Sequence, residues 1–405
     1  MRIQTEDAAQ QALWIEKPLD QCALIQTGVS KGRKMSPETL ISVPYLRVAN
    51  VQDGYLDLSE IKEIHVRPQD VPRYALQSGD VLLTEGGDFD KLGRGFVWNG
   101  ELPECIHQNH VFAVRVDQSQ LDPHFFSYQA QSPHGKQYFL SVAHKTTNLA
   151  CINTTKLKAF PVRIPPLSEQ KEIVHILSTV QRAIKAQEQI IQSTTELKKA
   201  LMQKLFSEGL RGEPQKETEI GLVPESWGIV PFDKFVTLQR GYDLRKQDFR
   251  SGSVPVIGAT QLIGYHDTAN VKAPGVTVVR SGTSAGKPLF ISEDFWAHNV
   301  LLYVKDFQGN IPRFVYYKIL ALNLAQYRQG VAVPTLNRNT FSAIKLALPS
   351  TSEQHDIADA LDAVVNRMEV AKREKFQKQD LLRTLLCELM SAKIRVCTIN
   401  LPDLQ

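Results

Sequence analysis

The chain has 405 residues, of which 42% are hydrophobic and 22% charged, with a net charge of +4; this length predicts about two to four domains rather than one core. No apolar run approaches the ~18 residues of a membrane span, and the polar opening "MRIQTEDAAQQ" lacks a signal-peptide core, so no membrane partner and a cytoplasmic location are expected. Five scattered cysteines without a C-x-x-C pair fit reduced thiols, and the mild basicity permits nucleic-acid binding without requiring it.

In chain order, the first domain is expected over residues 1–165. It opens on "WIEKPLDQCALIQTG", Trp14 to Gly28, and continues through "SGDVLLTEGG", "QNHVFAVRV" and "CINTTKLKAFPVRIPP". These pieces are short, β-branched and punctuated by glycine, which describes strands and turns. Three basic, glycine-bearing or polar loops punctuate them: "TGVSKGRKMS" with Lys31, Arg33 and Lys34, "TEGGDFDKLGRG" with Lys91 and Arg94, and "AHKTTNLA" with Lys145, Thr146 and Asn148.

A central helix is expected over 166–212. After "PPL" the motif Ser168-Glu169-Gln170 begins a stretch free of glycine and proline, in which alternating steps of four and three meet Ile173, Leu177, Val180, Ile184, Ile191, Leu201 and Leu205. That 3.5-residue period reads as a coiled-coil helix about 60 Å long, with the serine as its N-terminal signal and Gly209 and Gly212 as its end. Ile176, Ile190 and Leu197 are expected to face outward, free for another helix.

The second domain, 213–349, restates the first. "WGIVPFDKFVTLQRG" from Trp227 to Gly241 resembles the opening piece, "PGVTVVRSGT" resembles "SGDVLLTEGG", "AHNVLLYVK" resembles "QNHVFAVRV", and "TLNRNTFSAIKLALPS" resembles "CINTTKLKAFPVRIPP". Its matching loops carry Arg240, Tyr242, Arg245 and Lys246, then Arg280, Thr283, Ser284 and Lys287, then Arg328. A distal helix follows over 350–395, leaving a tail at 396–405. From Ser352-Glu353-Gln354 its seam runs through Ile357, Leu361, Val364, Met368, Leu382, Leu385 and Leu389. Aligned without gaps, residues 168–207 and 352–391 share ten identities in forty positions, including the whole SEQ motif. If the helices pack antiparallel, the end of the first lies beside the start of the second, and short loops suffice throughout. The expected object is two related heads on a helical rod, with pseudo-twofold symmetry and nearby chain ends. Half-sites one turn apart on B-DNA lie about 34–36 Å from each other, within reach of such heads.

Enzymatic readings fit poorly. "GTSAGK", Gly282 to Lys287, has three residues between its glycines and Pro288 after its lysine, against the four residues and Ser or Thr of a phosphate loop. Cys105, His107 and His110 make a three-ligand zinc candidate without a visible fourth ligand. Glu60 and Lys62 lack a plausible nuclease partner strand, and neither a glycine-rich cofactor loop nor an acidic-proline-proline-aromatic motif for amine methylation is present.

Two copies of a proline-rich strand end, SEQ and a long helix, each after a variable domain, resemble the DNA-specificity subunit of Type I restriction-modification enzymes, and the likeness covers essentially the whole chain. It implies an α+β fold in which two related α/β target-recognition domains are separated by two long antiparallel coiled-coil helices. It further implies a non-catalytic, metal-free subunit that reads a bipartite, asymmetric, gapped double-stranded DNA target. Its expected partners are two methyltransferase subunits and two restriction-translocase subunits, which would carry S-adenosylmethionine, ATP and Mg. On that view the loop residues named above bind DNA, with Arg94, Arg245, Arg280 and Lys287 the favoured base contacts, since arginine and lysine make the commonest guanine contacts. The competing reading is a coiled-coil scaffold with two protein-binding heads and no DNA specificity.

Overall fold

The computed structural model describes residues 14–30, 40–145, 150–259, 262–330 and 334–396, and the side chains of these except Asp90 and Lys246. The chain divides into two compact units, Met1–Ala186 with Glu374–Gln405, and Gln187–Arg373. Each division falls inside a long helix, because the central helix Leu167–Ser207 and the distal helix Thr351–Met390 both run through both units.

The two heads share one topology. In the first unit a four-stranded sheet has the order Ala23–Thr27, Val111–Val116, Val81–Thr84, Gly95–Val97, and a three-stranded sheet centres Ile41–Leu46 between Ile106–His107 and Lys62–Val66. The second unit repeats both, with Thr237–Arg240, Leu301–Asp306, Gly275–Val279 and Pro288–Ile291 in one sheet, and Val254–Ile257 between Trp296–Ala297 and Leu262–His266 in the other. A two-stranded pair closes each head just before its helix, Ile15–Pro18 with Pro161–Ile164 and Gly228–Pro231 with Lys345–Leu348.

The register corrects the sequence match by one residue. Val111 faces Thr84 and Leu301 faces Val279, so Thr84 corresponds to Val279 and His107 to Ala297. Side-chain likeness had set Thr84 against Arg280 and Gln108 against Ala297. A strand slipped by one still matches its apolar character when, like Val81–Thr84, it is buried on both faces.

Each unit packs its head against the start of one long helix and the end of the other. In the first, Phe112, Phe126, Phe139 and Phe160 share a core with Ile173 and Leu177 and with Leu389 and Met390. In the second, Trp227, Phe235, Phe314 and Tyr317 share one with Leu205 and with Ile357 and Leu361. The helices therefore run antiparallel. All ten central seam positions from Ile173 to Leu205, and all ten distal ones from Ile357 to Leu389, are buried or half-buried, including the polar Gln187, Thr194, Lys198, Lys375 and Lys378. Ile176 departs from the expected outward face: it is buried in the first core, whereas Ile190 is half-buried and Leu197 exposed.

The SEQ motif is the joint between head and helix. Gln170 is fully buried, its Oε1 accepting from Asp122 N at 2.7 Å while its Nε2 donates to Gln120 O at 2.9 Å and Pro165 O at 2.8 Å. Gln354 repeats the clamp, accepting from Ile311 N at 3.0 Å and donating to Asn310 Oδ1 at 2.8 Å and Pro349 O at 3.2 Å. Asp122 and Ile311 precede the head helices Pro123–Gln131 and Pro312–Leu322, so one amide fixes two helix starts in each unit. A neighbouring carboxylate holds the chain beyond the other helix: Glu169 pairs with Arg395 at 3.0 Å, and Glu353 accepts from Leu210 N at 3.0 Å and Trp227 Nε1 at 3.2 Å, 3.9 Å from Arg211. Arg211 and Arg395 stand 184 residues apart (395 − 211), the same offset as the two motifs. The motif serines are not the helix caps. The distal helix is capped one residue before it begins, by Ser350 Oγ accepting from Glu353 N at 3.4 Å, and Pro166 holds that place before the central helix.

Candidate nucleic-acid interface

In each head a glycine forces the chain against a turn. Strand Ala23–Thr27 ends at Gly28, where a Cβ would lie 2.0 Å from His107 O; Thr237–Arg240 ends at Gly241, where it would lie 2.2 Å from His298 O. Only glycine allows this approach. It lets Val29 N donate to His107 O at 2.8 Å and Tyr242 N to Ala297 O at 2.9 Å. Each strand end thereby abuts a β-turn, closed by Val111 N to Gln108 O in one head and Leu301 N to His298 O in the other, both 2.9 Å.

Other loops join the same turn. In the first unit Glu85 N donates to His110 O at 2.9 Å, and Gly86–Gly87 pairs with Ala150–Cys151, which pairs with His144–Lys145. Two of the three loops singled out by sequence are thus hydrogen-bonded neighbours, around a cleft of about 410 Å³ lined by Glu85, Gly86, His110, His144 and Cys151 among others. In the second unit Arg280 N donates to Val300 O at 2.7 Å, Leu336 N to Arg280 O at 2.8 Å and Gly282 N to Pro334 O at 3.0 Å, while Gln329 and Thr335 exchange two bonds of 2.8 Å. Segments 240–246 and 280–287 therefore meet around 298–300, with the described residues 328–330 and 334–336 bonded to the second of them.

The cations on these loops differ in how committed they are. Arg94 is half-buried and turned inward, its Nη1 donating to Gln52 Oε1 at 2.9 Å. Lys91 sits on Asp88, and Arg245 on Asp248 at 2.8 Å, which raises the Arg245 pKa by hydrogen bonding and charge. Arg328 Nε donates to Ala285 O at 2.6 Å and Arg240 Nε to Asn299 O at 3.4 Å. Lys145, Arg280 and Lys287 have no carboxylate partner among the described residues, and Lys145 and Lys287 are exposed. Thr283 is exposed and Ser284 half-exposed beside them; Tyr242, 45% exposed, accepts from Gln239 Nε2 at 2.8 Å. Lys31, Arg33, Lys34, Thr146 and Asn148 lie outside the described residues, as does the side chain of Lys246.

The zinc candidate comes apart. Cys105 and His107 are buried, and His110 turns away to meet Glu85. Burial pushes the Cys105 thiol up to about 12 and holds His107 down to about 4, so at neutral pH His107 is uncharged and its Nδ1–H donates to Val111 O at 2.7 Å. "GTSAGK" is a turn in which Gly282 and Gly286 both take positive φ. Loop composition did not single out Asn109, Asn299 and Asp243, which sit at the convergence point. The signal was the Asn shared by the "QNH" and "HNV" turns.

A family model described as the Type I restriction modification DNA specificity domain matches residues 33–196 and again 224–377. The chain is 24% identical over 388 residues to a putative Type I restriction enzyme MjaX specificity subunit of Methanocaldococcus jannaschii, covering 88% of each. It is 24% identical over 195 residues to the EcoKI specificity subunit of Escherichia coli, covering 47% of this chain and 41% of that one. Its fold resembles the crystal structure of a Type-I restriction-modification S subunit from M. genitalium, with a TM-score of 0.60 at 15% identity, covering 93% of this chain and 96% of the other.

Proposed function

Because the chain belongs to the Type I restriction-modification DNA specificity family, we propose that its two heads each read one half of a gapped, asymmetric double-stranded DNA target. The observation that carries this reading is the recurrence of one loop arrangement with different side chains. The first turn is Gln108-Asn109-His110 with Glu85 beside it, and the second is His298-Asn299-Val300 with Arg280 beside it. Matching backbone hydrogen bonds at the turn with unlike side chains suit two different half-sites, since side chains at base edges specify sequence. Exposed Lys145 supplies positive charge for phosphates, while Arg280 and Lys287, without a carboxylate partner among the described residues, remain the favoured base contacts.

On this reading the subunit does no chemistry itself. Methyltransferase subunits dock on the long helices and bring S-adenosylmethionine, restriction-translocase subunits bring ATP and Mg, each pair in two copies, and the helices fix the gap. The test is to co-express the chain with its cognate methyltransferase in a host lacking adenine methylation and to map modified bases by long-read sequencing. One gapped, asymmetric motif modified on both strands is expected, and exchanging either head should change one half only. A stable complex that methylates nothing and binds no DNA would overturn the proposal in favour of a protein scaffold.

A further inference from the structure

Resting on that DNA-reading proposal, we infer that Asn109 and Asn299 are specificity-determining residues, each reading an adenine in its own half-site. Both occupy the second position of the β-turn at which the loops of their head converge, and both are half-buried rather than freely solvated. The backbone around each is held from two sides, by the glycine approach at Gly28 or Gly241 and by the bond from Glu85 N or Arg280 N to the next residue's carbonyl. A turn so constrained fixes the direction in which each side chain leaves the backbone, the first requirement of base-edge recognition.

The hydrogen-bond inventory of Asn299 fixes what it can read. One N–H of its Nδ2 donates to Asp243 Oδ1 at 2.8 Å, which sets the orientation of the carboxamide. One N–H and the Oδ1 remain. That remainder is the donor and acceptor pair that matches N7 and the N6 amino group of adenine in the major groove. The Asn109 carboxamide has no hydrogen-bond partner among the described residues and keeps its whole inventory for a ligand. Neutral His107, held inward by Val111 O, adds no fixed positive charge beside Asn109.

The experiment uses the full chain with its cognate methyltransferase and reads methylation frequency at every single-base variant of the motif. Asn299→Gly and Asn299→Ser both tolerate the turn, as do the same changes at Asn109. The expected result is that each pair relaxes discrimination at one A·T position, in one half only, by roughly tenfold to a hundredfold. Two outcomes overturn the inference: full discrimination retained by both variants, or methylation lost evenly over all sequences with the motif unchanged, which marks a structural or phosphate role. A wild-type complex that yields no motif at all is a different failure, that of the DNA-reading proposal itself.

Discussion

Replacing Lys318 with methionine should stabilise the second unit and flatten its response to alkali. Lys318 lies on the head helix Pro312–Leu322 and is 6% exposed, its ammonium over the rings of Phe206 at 5.0 Å and Trp227 at 5.8 Å. No carboxylate pairs with it among the described residues, and burial alone pushes its pKa from 10.5 down to about 8. A shift of that size corresponds to roughly 3 kcal/mol against the charged folded state. The remaining solvent contact and the loss of two ring contacts reduce the net gain from Lys318→Met to about 1–3 kcal/mol at pH 7. The sign follows from proton counts: between pH 8 and 10.5 the unfolded chain holds the proton that the folded chain has released, so wild-type stability rises through that window and the penalty is complete below it. Thermal unfolding of both proteins at pH 7 and pH 9.5 reads the difference. A variant that melts lower at pH 7, or keeps the wild-type slope into alkali, would refute the argument.

Four further outcomes are expected. Gln354→Ala strands Ile311 N and Asn310 Oδ1 in a buried site and should cost about 2–4 kcal/mol, with faster hydrogen exchange at residues 310–316 and not in the first head; Gln170→Ala should do the converse. Gly241→Ala must displace the turn at His298, so the methylated motif should blur in one half while the complex still assembles. His107, whose folded pKa is held at about 4 against 6.5, is protonated preferentially in the unfolded chain; first-head stability should therefore fall as pH drops from 6.5 towards 4, and His107→Gln should remove that loss in an acid melt. Inserting four residues into each long helix adds about 6 Å and should lengthen the gap in the motif read by sequencing, leaving both half-sites as they were.

The long helices were legible because little besides a coiled-coil helix sustains a 3.5-residue apolar period over some forty positions, and the strand pieces because they recur after turn residues. The jobs of Glu353 and Gln354 were not legible, since their partners, Leu210, Trp227 and Ile311, lie 43 to 143 residues away. Periodicity also misplaced Ile176, because near its start the central helix is covered by the head as well as by its partner helix, and the buried face is wider than a coiled-coil seam. On the recognition loops composition could mark cations but not their commitments. Arg94 and Lys287 look alike in sequence, yet one is tied to Gln52 and the other exposed.

The first core is closed by Leu389 and Met390, more than two hundred residues after its own helix begins. On the ribosome, then, the first head emerges with Ile173, Ile176 and Leu177 covered by the head alone, and the side that Leu389 and Met390 close stays open until the last residues of the distal helix have been made. At about 5–20 residues per second this exposure lasts on the order of ten seconds or more, a period in which a sticky helix must be tolerated or shielded. Translation order thus makes the nascent first half the stage most open to chaperones and to premature pairing with another copy.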